Sequence, residues 1–411
     1  MQQHIHPAPT EGHPCGISEE SLAGRRFKRA SLFWSHLGPV KIVAWLLFSL
    51  LGLGPGALHS RAAFSSMYVL GDSLSAVSGG GTQYPPPPGT SVDNYWNGRF
   101  SNGRIWVEYL ADLLGISFKT NCDFAVFGDG TPSIYRILIY GNFYPPTDFG
   151  TSLCVFWPAC SDCFALTLFE GTNDWSSTFP EFVDTFTNSI GLLYRQGMRA
   201  VLIPNSVDVS LVPFFTHTLP TLGVGSIAPN GVPSQAAIHA GVIQYNAALA
   251  SAIGQLRSQY PDLAIYAPDF YTQFNYGLSH PDVYGLTKLD IDALEDPALT
   301  DKSFDGPGAE YAFWDYLHPT TKVHSFMAAF AAQVLPKPML QKLSVRDGRV
   351  RLDFSNLPVG RTGTLEATTN LLAQTSWKPF AFLSVTNNTQ TVITSMNGLG
   401  DHCFFRLNFP P

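Results

Sequence analysis

Charged residues are scarce in this sequence, and basic residues are scarcer than acidic ones. Only 13% of the 411 residues are charged, and the formal net charge at pH 7 is -7. No cluster of Lys and Arg occurs outside the N-terminal region, so the basic surface that a nucleic-acid partner requires is lacking. With 45% hydrophobic residues, the composition also excludes a disordered chain and indicates a large globular core.

Cysteines are few, and no metal-ligand pattern is present. No histidine accompanies Cys154, Cys160 and Cys163 at ligand spacing, which argues against a zinc site. Cys122 could form a disulfide with one of these three, although the sequence does not fix the pairing. If Cys15 is lost with an N-terminal leader, five cysteines remain and at least one of them stays unpaired.

Hydrophobic runs long enough to cross a membrane comfortably are missing. The apolar run at 42–53, IVAWLLFSLLGL, has about a dozen residues, whereas a span needs about 20. Arg25, Arg26, Lys28, Arg29 and Lys41 precede this run, and small residues follow it up to position 63. The pattern predicts a secretory signal within 1–63, and therefore a secreted, periplasmic or cell-surface protein. An uncleaved membrane anchor is the alternative.

Strand-like and helix-like patterns alternate between residues 64 and 336. This order is typical of a parallel sheet covered by helices on both faces, and it predicts one large domain over 64–336. The predicted strands are 67–70, 124–127, 164–169, 200–203 and 264–267, and the predicted helices are 105–114, 181–194, 235–259 and 321–334.

The pattern changes near Lys337 and Pro338. Six short alternating runs follow, separated by turn residues, and they predict a small all-β module of the sandwich type over 340–411. The runs are 343–345, 350–354, 364–367, 380–383, 391–393 and 404–407.

Small and polar residues follow the first three predicted strands. Ser73 follows the first, Gly128 the second and Asn173 the third. Because the carboxyl ends of parallel strands meet at one edge of the sheet, we expect these residues to converge there. Asp315 and His318 stand three residues apart, just before the last predicted helix.

These residue types suit acyl transfer. Ser73 is the candidate nucleophile, His318 the base that takes its proton, and Asp315 the group that orients the imidazole. The Ser73 N–H, the Gly128 N–H and the Asn173 side-chain amide are the candidate donors to an oxyanion.

Four motifs occur in an order that resembles the GDSL, or SGNH-hydrolase, family. They are GDSL at 71–74, the glycine of VFGDGT, GTND at 171–174 and DYLHPT at 315–320. The sequence is most similar to the branch of lecithinase-like and haemolysin-like acylhydrolases, over about 64–335. The resemblance implies a three-layer α/β/α sandwich with a five-stranded parallel sheet and no metal or organic cofactor. It also implies the same roles for Ser73, Asp315, His318, Gly128 and Asn173.

Some residues near these motifs admit two interpretations. Asp129, beside Gly128, could repel an oxyanion or point to solvent, and Asp72 could support the turn or assist the site. The aromatic residues Tyr84, Tyr95, Trp96 and Phe100 could line an acyl cleft, although aromatic residues in a long loop more often pack beneath it.

The sequence therefore predicts a secreted serine esterase or lipase that acts on a small-molecule or lipid ester. A carbohydrate esterase that removes acetyl groups from polysaccharide is one alternative, since the same triad serves both reactions. A surface binding protein with a decayed site is another. Contact of the protein with a membrane surface or a glycan stays open, as does its oligomeric state.

Overall fold

A computed structural model describes most of the chain from residue 64 onward. The predicted leader at 1–63, Tyr84 and the predicted site residue Asn173 lie outside the described residues. The described residues are 64–80, 91–141, 143, 148–170, 175, 177–218, 233–302, 308–357, 362–369, 377–387, 389–395 and 403–408.

Four parallel strands form the central sheet, in the order β1-β2-β3-β4. Val69 of β1 pairs with Val155 of β2, and Val155 pairs in turn with Leu202 of β3. The residues of β1, β2 and β3 are all buried, as expected for parallel strands covered on both faces. The strands are β1 (Met67–Gly71), β2 (Leu153–Trp157), β3 (Ala200–Leu202) and β4 (Ala264–Tyr266).

Helices cover both faces of this sheet, as successive residues of β2 show. Trp157 makes edge contacts with the rings of Trp106 and Phe270, whereas its neighbour Phe156 packs against Phe186. Because successive strand residues point to opposite faces, these contacts lie on opposite sides of the sheet. The α-helices are α1 (Trp106–Leu114), α2 (Thr131–Tyr140), α3 (Ala159–Ala165), α4 (Phe179–Arg195), α5 (Gln235–Gln259), α6 (Phe270–Ser279) and α7 (Thr321–Val334).

This architecture confirms the predicted α/β/α fold class, although within the described residues the sheet has four strands where five were expected. The segment 124–127 does run beside β1, where the Phe124 and Val126 amides donate to Val69 and Gly71 at 2.8 and 3.1 Å. Only a single bridge between Val69 and Asp123 results. The Asp123 carboxylate accepts the Ala125 N–H at 2.9 Å, a local turn that competes with a longer ladder.

The strand predicted at 164–169 is wrong. These residues belong to α3 and to the π-helix Leu166–Glu170. The strand that pairs with β1 is β2, which begins eleven residues before the predicted strand. A short apolar run does not distinguish a strand from a buried helix segment. Apart from 124–127, the other predicted strands and helices occur within a few residues of their predicted bounds, and α5 and α7 match them fully.

All six strands predicted after residue 338 are present, in two three-stranded antiparallel sheets of order β5-β6-β9 and β10-β7-β8. Leu352 from the first sheet and Leu365 and Leu383 from the second share one buried apolar cluster, which is the arrangement of a sandwich. The strands are β5 (Met339–Arg346), β6 (Arg349–Ser355), β7 (Thr362–Thr368), β8 (Lys378–Ser384), β9 (Gln390–Ser395) and β10 (Phe404–Asn408).

The cysteines of the described part are all free thiols, so none of the disulfides left open by the sequence is formed. Cys154, Cys160 and Cys163 are buried, and burial raises the pKa of each thiol. Such thiols stay protonated at neutral pH and act as small apolar side chains. Within the described ranges, no helix combines the length and apolarity that a membrane crossing needs.

Candidate active site

The GDSL turn begins where β1 leaves the sheet. A Cβ on Gly71 would lie 2.8 Å from the Trp157 carbonyl oxygen of β2, so the close approach of the two strands requires glycine at this position. The Asp72 carboxylate then accepts the Leu74 N–H at 3.0 Å and the Ser161 N–H at 3.1 Å. These bonds fix the backbone on both sides of Ser73 and join the turn to α3.

Asp315 and His318 lie in the tight loop that precedes α7. The Leu317 and His318 amides both donate to Asp315 Oδ1 at 2.8 Å, which folds the loop around the carboxylate. The His318 Nδ1 atom lies 2.9 and 2.8 Å from Asp315 Oδ1 and Oδ2. The loop is therefore shaped by the same carboxylate that orients the imidazole.

The structure brings Ser73, His318 and Asp315 together. His318 Nε2 lies 2.8 Å from Ser73 Oγ, across 245 positions of sequence. The three residues are 7%, 2% and 0% exposed, so their hydrogen bonds are sheltered from competing water. This chain of hydrogen bonds runs from hydroxyl to imidazole to carboxylate. It allows the imidazole to take the serine proton while the carboxylate stabilises the positive charge that forms on the ring.

The loop 99–104 holds the His318 loop against the rest of the domain. Ser101 Oγ donates to the Pro319 carbonyl at 2.9 Å, and the Thr321 N–H donates to Asn102 Oδ1 at 2.8 Å. Ser101 and Asn102 are themselves buried. These contacts position His318 through the backbone on its C-terminal side.

Tyr95 is a further residue of the site, which sequence reasoning placed only in a possible cleft. Its hydroxyl donates to Asp315 Oδ2 at 2.8 Å, and both groups are buried. Burial by itself would raise the pKa of Asp315, but the charge of His318 and the hydrogen bonds from His318 and Leu317 hold it below its usual range. No sequence motif marks Tyr95, because its partner lies 220 positions away.

Of the aromatic residues for which cleft lining and packing were both open, Tyr95 and Phe100 are buried and pack around the site. The Phe100 ring lies 4.7 Å from the His318 ring, centroid to centroid, and stacks on Phe127 at 5.4 Å. Trp96 lies under the Arg99 guanidinium, 5.1 Å from the ring centroid. Phe100 thus restrains the imidazole by packing, and the residue types alone do not distinguish this role from contact with substrate.

Asp72 serves the turn, and its environment differs from that of Asp315. Burial raises its pKa to about 6, partly countered by the hydrogen bonds from Leu74 and Ser161 and by the charge of His318. The carboxylate therefore carries a proton more readily than an exposed aspartate does. Its two amide partners identify it as support for the Ser73 backbone.

The predicted oxyanion donors are placed only in part. Among the described residues, the Ser73 N–H has no hydrogen-bond acceptor, so it remains available to a ligand. Gly128 is exposed and lies in the turn from Val126 to Asp129, with a positive φ of 75° that favours glycine. Asn173 lies outside the described residues, and Pro158, not GTND, directly follows the strand beside β1.

Asp129 is half-buried rather than directed fully to solvent. Burial raises its pKa, and a hydrogen bond from the Ser133 side chain partly offsets this effect. A raised pKa lowers the negative charge near Gly128 at mildly acidic pH, and the bond to Ser133 ties the carboxyl group to the first turn of α2.

No group of three or more His, Cys, Asp or Glu side chains that could hold a metal ion occurs in the part of the chain that the structure describes. The protein groups of the site can by themselves supply a nucleophile, a base and an orienting carboxylate.

A buried serine, imidazole and carboxylate in one hydrogen-bonded chain, at the carboxyl edge of a parallel sheet between two helical layers, define the class of serine hydrolases. The comparison with known families refines this class. The model of the GDSL-like lipase/acylhydrolase family matches residues 67–330, which is more than half of the chain. The protein belongs to this family, as its motifs predicted, and is a serine ester hydrolase.

Similar proteins occur in plants and bacteria. A GDSL esterase/lipase of Arabidopsis thaliana is 25% identical, over 60% of this chain and 77% of that protein. Acetylajmalan esterase 2 of Rauvolfia serpentina is 22% identical, over 65% and 89%. A secreted effector protein of Salmonella typhimurium is 24% identical, over 66% and 63%.

Solved structures of similar chains include an acetylxylan esterase from Geobacillus stearothermophilus. It is 12% identical, with a TM-score of 0.34, and the match covers 67% of this chain and 94% of that chain.

Proposed function

We propose that the protein is a secreted esterase or lipase that hydrolyses carboxylic esters of acyl lipids or similar compounds through an acyl-enzyme. Ser73 is the nucleophile, His318 the general base and acid, and Asp315 the orienting carboxylate. The observation that carries the proposal is the 2.8 Å contact between Ser73 Oγ and His318 Nε2.

The reaction follows from this geometry in two steps. His318 Nε2 takes the Ser73 proton as Oγ bonds to the ester carbonyl carbon, and the same proton then passes to the leaving alcohol as the C–O bond breaks. Water next attacks the carbonyl carbon of the acyl-enzyme and gives a proton to His318, which returns it to Ser73 Oγ as the C–Oγ bond breaks and the acid leaves. Asp315 balances the imidazolium charge that forms in each step.

The negative oxygen of each tetrahedral intermediate needs donors that are already in place. The Ser73 N–H is free among the described residues, which supports its assignment to this role. The assignments of the Gly128 N–H and the Asn173 amide rest on the family motifs and on chain position. Replacement of Asn173 by Ala and assay of kcat would test the third donor.

Ser73→Ala tests the proposal directly. We expect kcat on p-nitrophenyl butyrate to fall at least about a thousandfold, because no other group in the site supplies the attacking oxygen. A fluorophosphonate probe should label the wild-type protein and fail to label the variant. Circular dichroism should show the same fold in both.

Ser78→Ala is the matched control, since Ser78 is exposed and lies in the same segment. Equal turnover by wild type and Ser73→Ala would overturn the assignment of the nucleophile. A folded wild type that neither reacts with the probe nor cleaves any ester would favour a non-catalytic binding protein. Turnover confined to acetylated xylan would favour the carbohydrate esterase.

Secretion is part of the proposal and rests on the basic residues and the apolar run at 42–53. Expression of the full chain, cell fractionation and N-terminal sequencing of the product would test it. We expect an exported product whose first residue lies after the apolar run. A cytoplasmic product that keeps the whole leader would contradict secretion without affecting the chemistry.

A further inference from the structure

An apolar cavity lies between α6 and α7. Phe274 and Leu278 line it from α6, and Val323 and Met327 line it from α7. Its volume is about 80 Å³. This cavity has no part in the hydrogen-bonded chain of the active site.

The wall of this cavity reaches the active site at two points of the chain. Leu74, the next residue after Ser73, is one lining residue, and Leu317 and Pro319, which flank His318, are two others. Neighbouring Cα atoms are about 3.8 Å apart. Ser73 and His318, which are joined by a hydrogen bond, do not line the cavity themselves, so it lies one residue away from this pair at each point.

The cavity offers almost nothing to a polar ligand. The only polar side chains in its lining belong to Gln273 and Tyr284, and Gln273 Nε2 donates to the Tyr284 hydroxyl at 2.7 Å. The remaining wall is aliphatic and aromatic carbon. A hydrocarbon chain gains from such a site because its apolar surface leaves water without any loss of hydrogen bonds.

We propose that this cavity binds the acyl chain of the substrate, with the ester carbonyl at Ser73 and an unbranched chain between α6 and α7. The inference rests on the proposed ester hydrolysis and specifies the acid half of the substrate. Measured in the same way as this volume, the space for one water-sized group is about 10–15 Å³. The cavity therefore has room for a medium-length acyl chain of roughly four to eight carbons.

Gly277→Leu provides the first test. Gly277 lines the cavity from α6, and its nearest neighbour for an added Cβ is Tyr284 at an ordinary 3.9 Å. The new side chain therefore fills the cavity without a backbone clash. For wild type, kcat/KM should rise from p-nitrophenyl acetate to the hexanoate or octanoate. In Gly277→Leu the ratio of kcat/KM on hexanoate to that on acetate should fall at least tenfold, since each bound methylene contributes about fourfold.

Met327→Ala provides the opposite change, because it lengthens the cavity from the α7 side. Its preferred chain should be longer than that of wild type by two or more carbons. Gly254→Leu is the matched control, because Gly254 is an exposed helical glycine with nothing within 4 Å of an added Cβ. Its chain-length profile should equal that of wild type.

Two failures can be told apart. If folded Gly277→Leu and Met327→Ala both keep the wild-type chain-length profile, the cavity does not bind the acyl chain, while ester hydrolysis stands. If wild type hydrolyses no ester of any length, the proposed function itself fails.

Discussion

At the scale of single residues, the site depends on how Asp315 is held. Three donors besides the imidazole bond to its carboxylate, namely the Leu317 N–H, the His318 N–H and the Tyr95 hydroxyl. A buried carboxylate with this many donors stays ionised, which lets it stabilise an imidazolium in the reaction. Of these donors, only Tyr95 can be removed by mutation without change to the loop backbone.

Tyr95→Phe should therefore alter the pH dependence of catalysis. Loss of a hydrogen bond to a charged group costs about 1.5–3 kcal/mol, so we expect kcat/KM to fall about tenfold or more. Without this donor the ionised form of Asp315 is less stabilised, so the pKa of its carboxyl group rises from its lowered value. Because the reaction needs the ionised carboxylate, the acid limb of the kcat/KM profile should move to higher pH.

The control for this prediction is Tyr68→Phe, which removes a similar 2.8 Å bond from a tyrosine hydroxyl to Asp148, outside the site. An unmoved acid limb in Tyr95→Phe would mean that Tyr95 contributes packing alone.

His324 is a buried residue near the site whose ring nitrogens have no hydrogen-bond partner among the described residues. Burial, with a smaller effect from His318, lowers its pKa to about 3. Between about pH 6.5 and 3 the unfolded chain binds a proton at this position and the folded chain does not. Stability is therefore lost as the pH falls through this window.

His324→Leu should remove this loss. Relative to wild type, the variant should gain about 2 kcal/mol in free energy of unfolding when the pH falls from 8 to 5, since one pKa unit corresponds to about 1.4 kcal/mol. Urea unfolding of both proteins at the two pH values measures this difference in free energy. The contributions of the other titrating groups cancel, because both proteins contain them. Replacement of the exposed His217 by Leu should show no such change. A constant difference between wild type and His324→Leu would contradict the buried, neutral state of this histidine.

At the scale of secondary-structure elements, the contact of β1 with β2 sets the position of the nucleophile. The Asp72 N–H lies 3.4 Å from the Trp157 carbonyl oxygen, beside the position that a Cβ on Gly71 would occupy. The glycine of the GDSL motif thus serves packing between strands, and the serine serves the chemistry.

Gly71→Ala should consequently impair both stability and turnover. The added methyl group forces the strands apart, at a cost of about 1–3 kcal/mol typical of overpacking, and displaces Ser73 from His318. Thermal unfolding and kcat on p-nitrophenyl butyrate should both decrease. Gly254→Ala, at an uncrowded helical position, should instead be neutral or slightly stabilising. A Gly71→Ala enzyme with wild-type stability and turnover would show that β1 and β2 can separate freely.

The same scale shows where prediction from sequence failed. Helices with long apolar periodicity, such as α5 and α7, were predicted at their observed bounds. The short run at 164–169 was taken for a strand, and β2 was missed in a stretch rich in Pro, Cys and aromatic residues. Both segments are apolar, and only their neighbours in space decide between strand and helix.

At the scale of the whole molecule, the two largest apolar cores of the described residues are separate from each other, and a third, smaller cluster lies around Trp314. The first surrounds the parallel sheet, and the second lies between the two antiparallel sheets after residue 338. We propose the domain bounds 64–336 and 340–411 on this basis. The role of the β-sandwich in contact with a lipid or glycan surface remains a prediction.

Leu352→Ala should show that the two cores unfold independently of each other. Leu352 is fully buried in the second core, and its truncation should cost about 2–5 kcal/mol there. We expect kcat/KM on soluble esters to stay at the wild-type value while the β-sandwich unfolds at lower temperature. Leu249→Ala, in the first core, should destabilise the catalytic domain instead. Parallel loss of ester turnover in Leu352→Ala would show that the cores are coupled.

The sequence by itself determined the alternation of strands and helices after residue 64, the all-β segment that follows it and the family, and it predicted Ser73, Asp315 and His318 as the triad. These features depend on local periodicity and on motifs that can be read along the chain. Only the tertiary structure decided that Tyr95 bonds to Asp315, that β2 rather than 164–169 lies beside β1, and that Leu74 and Leu317 border one cavity. Each of these depends on groups far apart in sequence, whose proximity arises from packing the two helical layers onto the sheet.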